Sequence, residues 1–167
     1  PEFLAAMRTG FEAQLKDETI LQPNPKDYQS LQEMLAANNW AMAYVAPRGI
    51  GPTSWDQSEK KQIQHRRRFY LLGQTLDGMQ DWDVRRAIQA VRAIEPPSKS
   101  PLWLQSHRVM AGNALDAALF EGDIARLALY DPPSPHREGP IYLNLQRVLH
   151  LPAALAKRGI APGERPD

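Results

Sequence analysis

The chain contains no cysteine. That excludes disulfides, thiol nucleophiles and zinc–thiolate centres, and it leaves the redox compartment open. No apolar run approaches the roughly 18 residues that a membrane-spanning helix needs. Charge of one sign is not in excess: 20 Lys and Arg stand against 19 Asp and Glu, a formal net charge of +1. A nucleic-acid-binding domain ordinarily carries a basic surplus, so no nucleic-acid partner is expected. The 4 histidines show neither an H-E-x-x-H nor an H-x-x-x-H spacing. Nothing therefore points to a metal, and no cofactor is expected.

What is present fits one ordinary domain. The 167 residues are 43% hydrophobic and 23% charged, enough to bury a sizeable core and close to the globular average. Pro1-Glu2-Phe3 reads as a vector-derived scar, and the lack of an initiating Met marks the chain as an expected piece of a longer protein. Residues 4–158 are expected to form a single domain and residues 159–167 a frayed tail. The compartment stays open, export of a larger parent included.

Periodicity outlines the elements. Leu4, Met7, Phe11 and Leu15 share one helical face, and residues 17–21 could be a short strand. Asn24 followed by Pro25 predicts a helix start, with Tyr28, Leu31, Met34 and Leu35 as its buried stripe. Residues 40–46 are short and almost wholly apolar, the pattern of a strand buried on both faces. A Pro- and Gly-punctuated loop follows at 47–53. Helices are predicted over 58–75 and from about 81 to 94, the second with Trp82, Val84, Ile88 and Val91 facing inward. Strands are predicted at 102–105 and 124–130, flanking a small-residue helix at 109–120 that Gly122 ends. A last helix is predicted over 142–157. This alternation predicts an α/β fold, a three-layer α/β/α arrangement around a short, mostly parallel sheet. Ligands on such sheets sit beyond the carboxyl ends of the strands. The turns at 47–53, 106–109 and 131–139 are therefore the places to look for chemistry.

Three groups of residues stand there. Arg48-Gly49-Ile50-Gly51 offers two glycines for a tight turn, without the further glycine or the G-K-[ST] ending of a phosphate loop. Arg48 either anchors this loop through charge-assisted bonds or contacts substrate. Trp55, just downstream, suits the lining of a pocket for sugars or apolar ligands. The second group, Ser106-His107-Arg108-Val109, occupies a strand-to-helix turn, where a nucleophile elbow belongs. Ser106 lacks the elbow's flanking glycines, so an ordinary junction is the competing reading. The third group runs from Asp131 to His136. Ser106, Asp131 and His136 follow the chain order of a Ser–Asp–His hydrolase, although a plain surface histidine is an equal alternative. Finally, Lys60-Lys61 and His65-Arg66-Arg67-Arg68 form a local basic run. It reads as a solvated helix face or as arginines paired with nearby acids, with a nucleic-acid or membrane contact as the lesser alternative.

Several segments taken together resemble the acetyl xylan esterase / cephalosporin C deacetylase family of α/β-hydrolases. They are Arg48-Gly49-x-Gly51 with Trp55, the stretch from Arg67 through Gly78-Met79 to Ala87-Ile88, Met110-Ala111-Gly112-x-Ala114-Leu115, and Ser134-x-His136 with Leu143-Asn144. The resemblance covers roughly residues 40–155. It implies a reduced α/β-hydrolase fold and an acetyl-ester esterase acting on carbohydrate, with Ser106, Asp131 and His136 as catalytic candidates. Arg48, Gly49, Trp55 and Arg108 are the binding candidates. It also implies a departure. With Gly112-x-Ala114-Leu115 aligned, the family's nucleophilic serine falls on Arg108, whose guanidinium stays protonated and cannot attack an ester. The alternative is thus a non-catalytic, hydrolase-like module of a larger polypeptide that binds a ligand or another domain of its parent.

Overall fold

The computed structural model describes residues 8–9, 24–55, 58–94, 99–133 and 140–142. The chain divides into two compact units, Pro1–Ala46 and Pro47–Asp167. Among the described residues the fold is mixed α/β, with four helices and one two-stranded parallel sheet. The helix expected over 4–15, apart from Arg8 and Thr9, the strand at 17–21 and the helix after Tyr142 lie outside the described residues.

The smaller unit holds α1, Pro25–Ala37. Its start is set as the sequence indicates: Pro25 opens the helix, and the Asn24 side chain accepts from the Asp27 N–H at 3.3 Å. The expected buried stripe is not realised. Tyr28, Leu31 and Leu35 are half-buried, and Met34 is exposed. Residues 40–46 also depart from expectation. They carry no strand ladder among the described residues, and Trp40, Met42 and Tyr44 are exposed. Apolarity over seven residues cannot by itself distinguish a strand buried on both faces from an extended segment tied to a helix end. Here the Trp40 N–H caps α1 by donating to the Leu35 carbonyl at 2.8 Å.

The larger unit holds the rest. Helix α2 spans Glu59–Leu71 and stops short of Gly73, whose φ of 68° ends the turn. Helix α3, Leu76–Arg92, begins five residues before the predicted start. Thr75 is its N-cap, with Oγ1 accepting from the Gly78 N–H at 3.0 Å. The stripe it buries is Asp77, Gln80, Val84 and Ile88, spaced as one helical face but half polar. Trp82, expected inside, is exposed and lies under the Arg86 guanidinium at 4.1 Å.

Strand β1, Leu102–His107, pairs in parallel with β2, Ile124–Tyr130, and α4, Val109–Phe120, crosses between them. Alternation along β1 puts Leu102, Leu104 and Ser106 on the half-buried face and Trp103, Gln105 and His107 outside. Residues Ala111 through Ala118 of α4 are all buried, and their small side chains let the helix lie against the sheet on one side and α3 on the other. The core joins Val84 and Ile88 of α3 to Ala117 of α4, with Leu102, Leu104, Met110 and Ile124 packed around them.

Gly112 is the tightest position in this arrangement. A Cβ there would meet Pro140 Cδ at 2.5 Å and Cγ at 2.7 Å. A proline ring cannot swing aside, so any side chain at 112 must push the 140–142 segment off α4. Gly112→Ala is expected to cost about 1–3 kcal/mol of stability, in line with overpacking of a tight contact. Gly122→Ala, where no atom stands within 4 Å, serves as the near-neutral control. Chemical denaturation of the two variants checks the contrast.

Candidate functional site

The loop after Ala46 is built around Arg48. Its backbone N–H and Nε donate to Asp83 Oδ2 at 3.0 and 2.8 Å, and Nη2 donates to Asp83 Oδ1 at 2.5 Å. One carboxylate thus gathers three donors from one residue, a forked charge-assisted arrangement that fixes the loop on α3. Gln80 Nε2 donates to the Arg48 carbonyl at 3.0 Å, and Thr53 Oγ1 donates back to the Pro47 and Ile50 carbonyls. The Arg48 guanidinium beside Asp83 holds that carboxyl below the usual range. Gly49 has a φ of 78°, and a Cβ there would stand 3.1 Å from Trp55 Cζ3. The indole therefore lies against the glycine, and it also meets the rings of His65 and Phe69. Of the binding candidates, Arg48, Gly49 and Trp55 come together in this loop.

The network continues into the buried seam between α3 and α4. Asn113, fully buried, donates to Gln80 Oε1 at 3.1 Å and accepts from the Tyr142 hydroxyl at 3.1 Å. Asp77 Oδ2 accepts from the Ile141 N–H at 3.0 Å. The seam is acidic. Burial pushes Asp116 up to about 6, helped by the nearby Asp81 charge and partly offset by the Tyr142 hydroxyl. Asp81 is likewise raised to about 6 by burial, with Arg85 opposing and Glu121 adding to the shift. Burial, then the charges of Asp116, Asp81 and Asp77, push the Tyr142 phenol up. Asp81 Oδ1 is buried and has no hydrogen-bond partner among the described residues. Sequence reasoning missed this cluster. The available signal was the spacing of Asp77, Gln80, Val84 and Ile88, which puts two polar residues on an apolar stripe. Among the described residues no group of three His, Asp or Glu side chains is placed to hold a metal ion.

The strand-to-helix turn falls two residues later than the sequence suggested. Ser106 lies inside β1, paired in register with Leu129. The turn itself is Arg108, whose backbone adopts φ 52° and ψ −129°. That combination lies outside the regions L-residues favour, and such outliers store on the order of 1–3 kcal/mol. The Arg108 N–H donates to the Tyr130 carbonyl at 2.9 Å, so the ends of β1 and β2 are locked side by side. His107 and Tyr130 stack there, with ring centroids 4.6 Å apart. Asp131 follows directly, exposed and at φ 46°. Ser106, Arg108 and Asp131 thus share the carboxyl-end rim of the sheet. His136 lies outside the described residues.

The carboxylates of the site respond to pH in opposite directions. Asp83 is held low, so the stability it provides is present above the ordinary carboxylate value and is lost as pH falls through its lowered one. Asp83→Asn is expected to lower the melting temperature at pH 7.5, with the deficit shrinking on acidification. Asp116 is held high, so its contribution declines as pH rises from the ordinary value of 3.8 towards about 6. Asp116→Asn is expected to gain on the order of 2 kcal/mol at pH 7.5, about half of that at pH 5 and little at pH 4. Thermal unfolding of the two variants across pH 4–8 reads both signs.

No family model, curated protein sequence or solved structure matches the chain.

Proposed function

We propose that the chain is a reduced α/β-hydrolase-like domain, three layers α/β/α in full, whose elbow position holds an arginine, and that it binds an anionic ligand instead of hydrolysing an ester. One observation carries the reading. The residue with the strained backbone between strand and helix is Arg108, and hydrolases of this type place their nucleophile on just such a strand-to-helix turn. The alignment of Gly112-x-Ala114-Leu115 points to the same residue on separate grounds. A guanidinium stays protonated and offers no nucleophile. At the start of α4 it suits a carboxylate or an acidic sugar, since the planar fork and the helix N-terminus both favour negative charge.

The esterase reading, with Ser106 as nucleophile, His136 as base and Asp131 as orienter, has weaker support. Ser106 sits within β1 on its half-buried face, where no turn lifts its hydroxyl clear of the sheet.

Two measurements separate the readings. Incubated with an activated acetyl ester and a serine-directed phosphonate, the protein is expected to show neither turnover nor an adduct. Turnover accompanied by a Ser106 adduct would restore the esterase. Small carboxylates and acidic sugars are expected to raise the melting temperature of the protein and to lose that effect in Arg108→Ala. If none of them shifts either protein, the binding reading fails.

A further inference from the structure

Residues 140–142 lie against α3 and α4, with Pro140 fitted onto Gly112 and Tyr142 beside Gly78. Polar bonds hold them there. The Ile141 N–H donates to Asp77 Oδ2 at 3.0 Å, and the Tyr142 hydroxyl donates to Asn113 Oδ1 at 3.1 Å. From Asn113 a row of hydrogen bonds runs through Gln80 to the Arg48 carbonyl. The direction of that row is fixed at its far end. A carbonyl can only accept, so Gln80 must turn Nε2 to Arg48 and Oε1 to Asn113. Asn113 must then answer with Nδ2, which leaves its Oδ1 for Tyr142. A phenol has one proton, and this row commits it to Asn113. Asp116, 7% exposed, interacts with the same hydroxyl. A charged Asp116 competes with Asn113 for the one proton. A protonated Asp116 instead donates to the phenol oxygen and completes the row.

We propose that a proton on Asp116 clamps residues 140–142 onto α3 and α4, and that loss of this proton lets the segment come away while the sheet stays intact. The charged groups around Asp116 favour the proton. From α3 it faces Asp81, and the phenol it shares faces Asp77 and Asp81. Arg85 and Glu121 stand near Asp81 and pair with each other at 3.0 Å. On the sheet that α4 covers, His107 and Arg126 lie on the outer face, Arg126 over the Trp103 ring. Burial therefore dominates at Asp116 and moves it from 3.8 to about 6. Release of the segment returns the carboxyl towards water and its ordinary value. A group held high favours the clamped state in mild acid and loses that hold as pH rises through about 6. The core of Val84, Ile88 and Ala117 is built without the segment, so its release leaves the sheet and its helices packed.

Hydrogen exchange of the full chain tests this at the Ile141 amide, which the clamp protects. Protection factors are compared, so the pH dependence of exchange chemistry itself divides out. With Asp116 moving between 3.8 and about 6, the Ile141 factor is expected to fall by about tenfold from pH 5 to pH 7.5. The amides of β1 and β2, which report opening of the whole domain, are expected to fall less. Asp116→Asn keeps an N–H donor for the phenol at every pH, so the fall at Ile141 should be much smaller in that variant. Three results would overturn the proposal: an Ile141 factor that does not change with pH, one that falls only in step with β1 and β2, or a fall as large in Asp116→Asn as in the native protein.

Discussion

Between His107, the last residue of β1, and Val109, the first of α4, only Arg108 is left to turn the chain. A strand and a helix joined through one residue demand backbone angles that L-amino acids avoid, and Arg108 adopts them. The hydrogen bond from its N–H to Tyr130 keeps β2 alongside β1 at that end. The direction in which α4 leaves the sheet follows from this turn. So does the approach of α4 to α3, and with it the seam that buries Gln80 and Asn113.

The seam shows how polar groups are held in a small core. Gln80 links three parts at once: the Arg48 carbonyl, Asn113 on α4 and, through Asn113, the Tyr142 hydroxyl. Each hydrogen bond is worth little net, yet removing one partner leaves a buried group unpaired, which costs more than the bond provided. The acids along the seam act against this. Asp81 and Asp116 sit where their charged forms are poorly solvated, so the seam is more comfortable in mild acid than at neutral pH. On the loop side Asp83 works in the opposite sense, because Arg48 compensates its charge.

Much of the β1–α4–β2 unit was legible in the sequence. Short, largely apolar runs on either side of a helical segment marked the strands, and the run Ala111, Gly112, Ala114, Ala117 and Ala118 marked a helix able to lie close on a sheet. The Asn24-Pro25 start of α1 was legible for the same local reason. Other features were not, because they are settled by tertiary contacts. Arg-Val carries no turn signal, so the strain at Arg108 cannot be read from residue type. Asp77 and Gln80 look like ordinary exposed residues until Ile141 and Asn113 meet them. The apolar segment at 40–46 gives the pattern of a buried strand, yet in the structure it belongs to no helix or strand and is mostly exposed. The site candidates divide in the same way: Arg48, Gly49 and Trp55 were grouped by a short loop, whereas the placement of Ser106 inside β1 depended on where the strand ended.

The claim that most of this account depends on is that residue 108 occupies a left-handed turn between β1 and α4. Comparing the unfolding free energies of Arg108→Gly and Arg108→Ala tests it directly. Glycine adopts such angles without strain, so the account expects the glycine variant to be more stable than the alanine variant by about 1 kcal/mol. At a position inside a helix or a strand the order reverses, with glycine less stable by about 0.5–1 kcal/mol. That reversed order would contradict the turn, and the elbow reading would go with it.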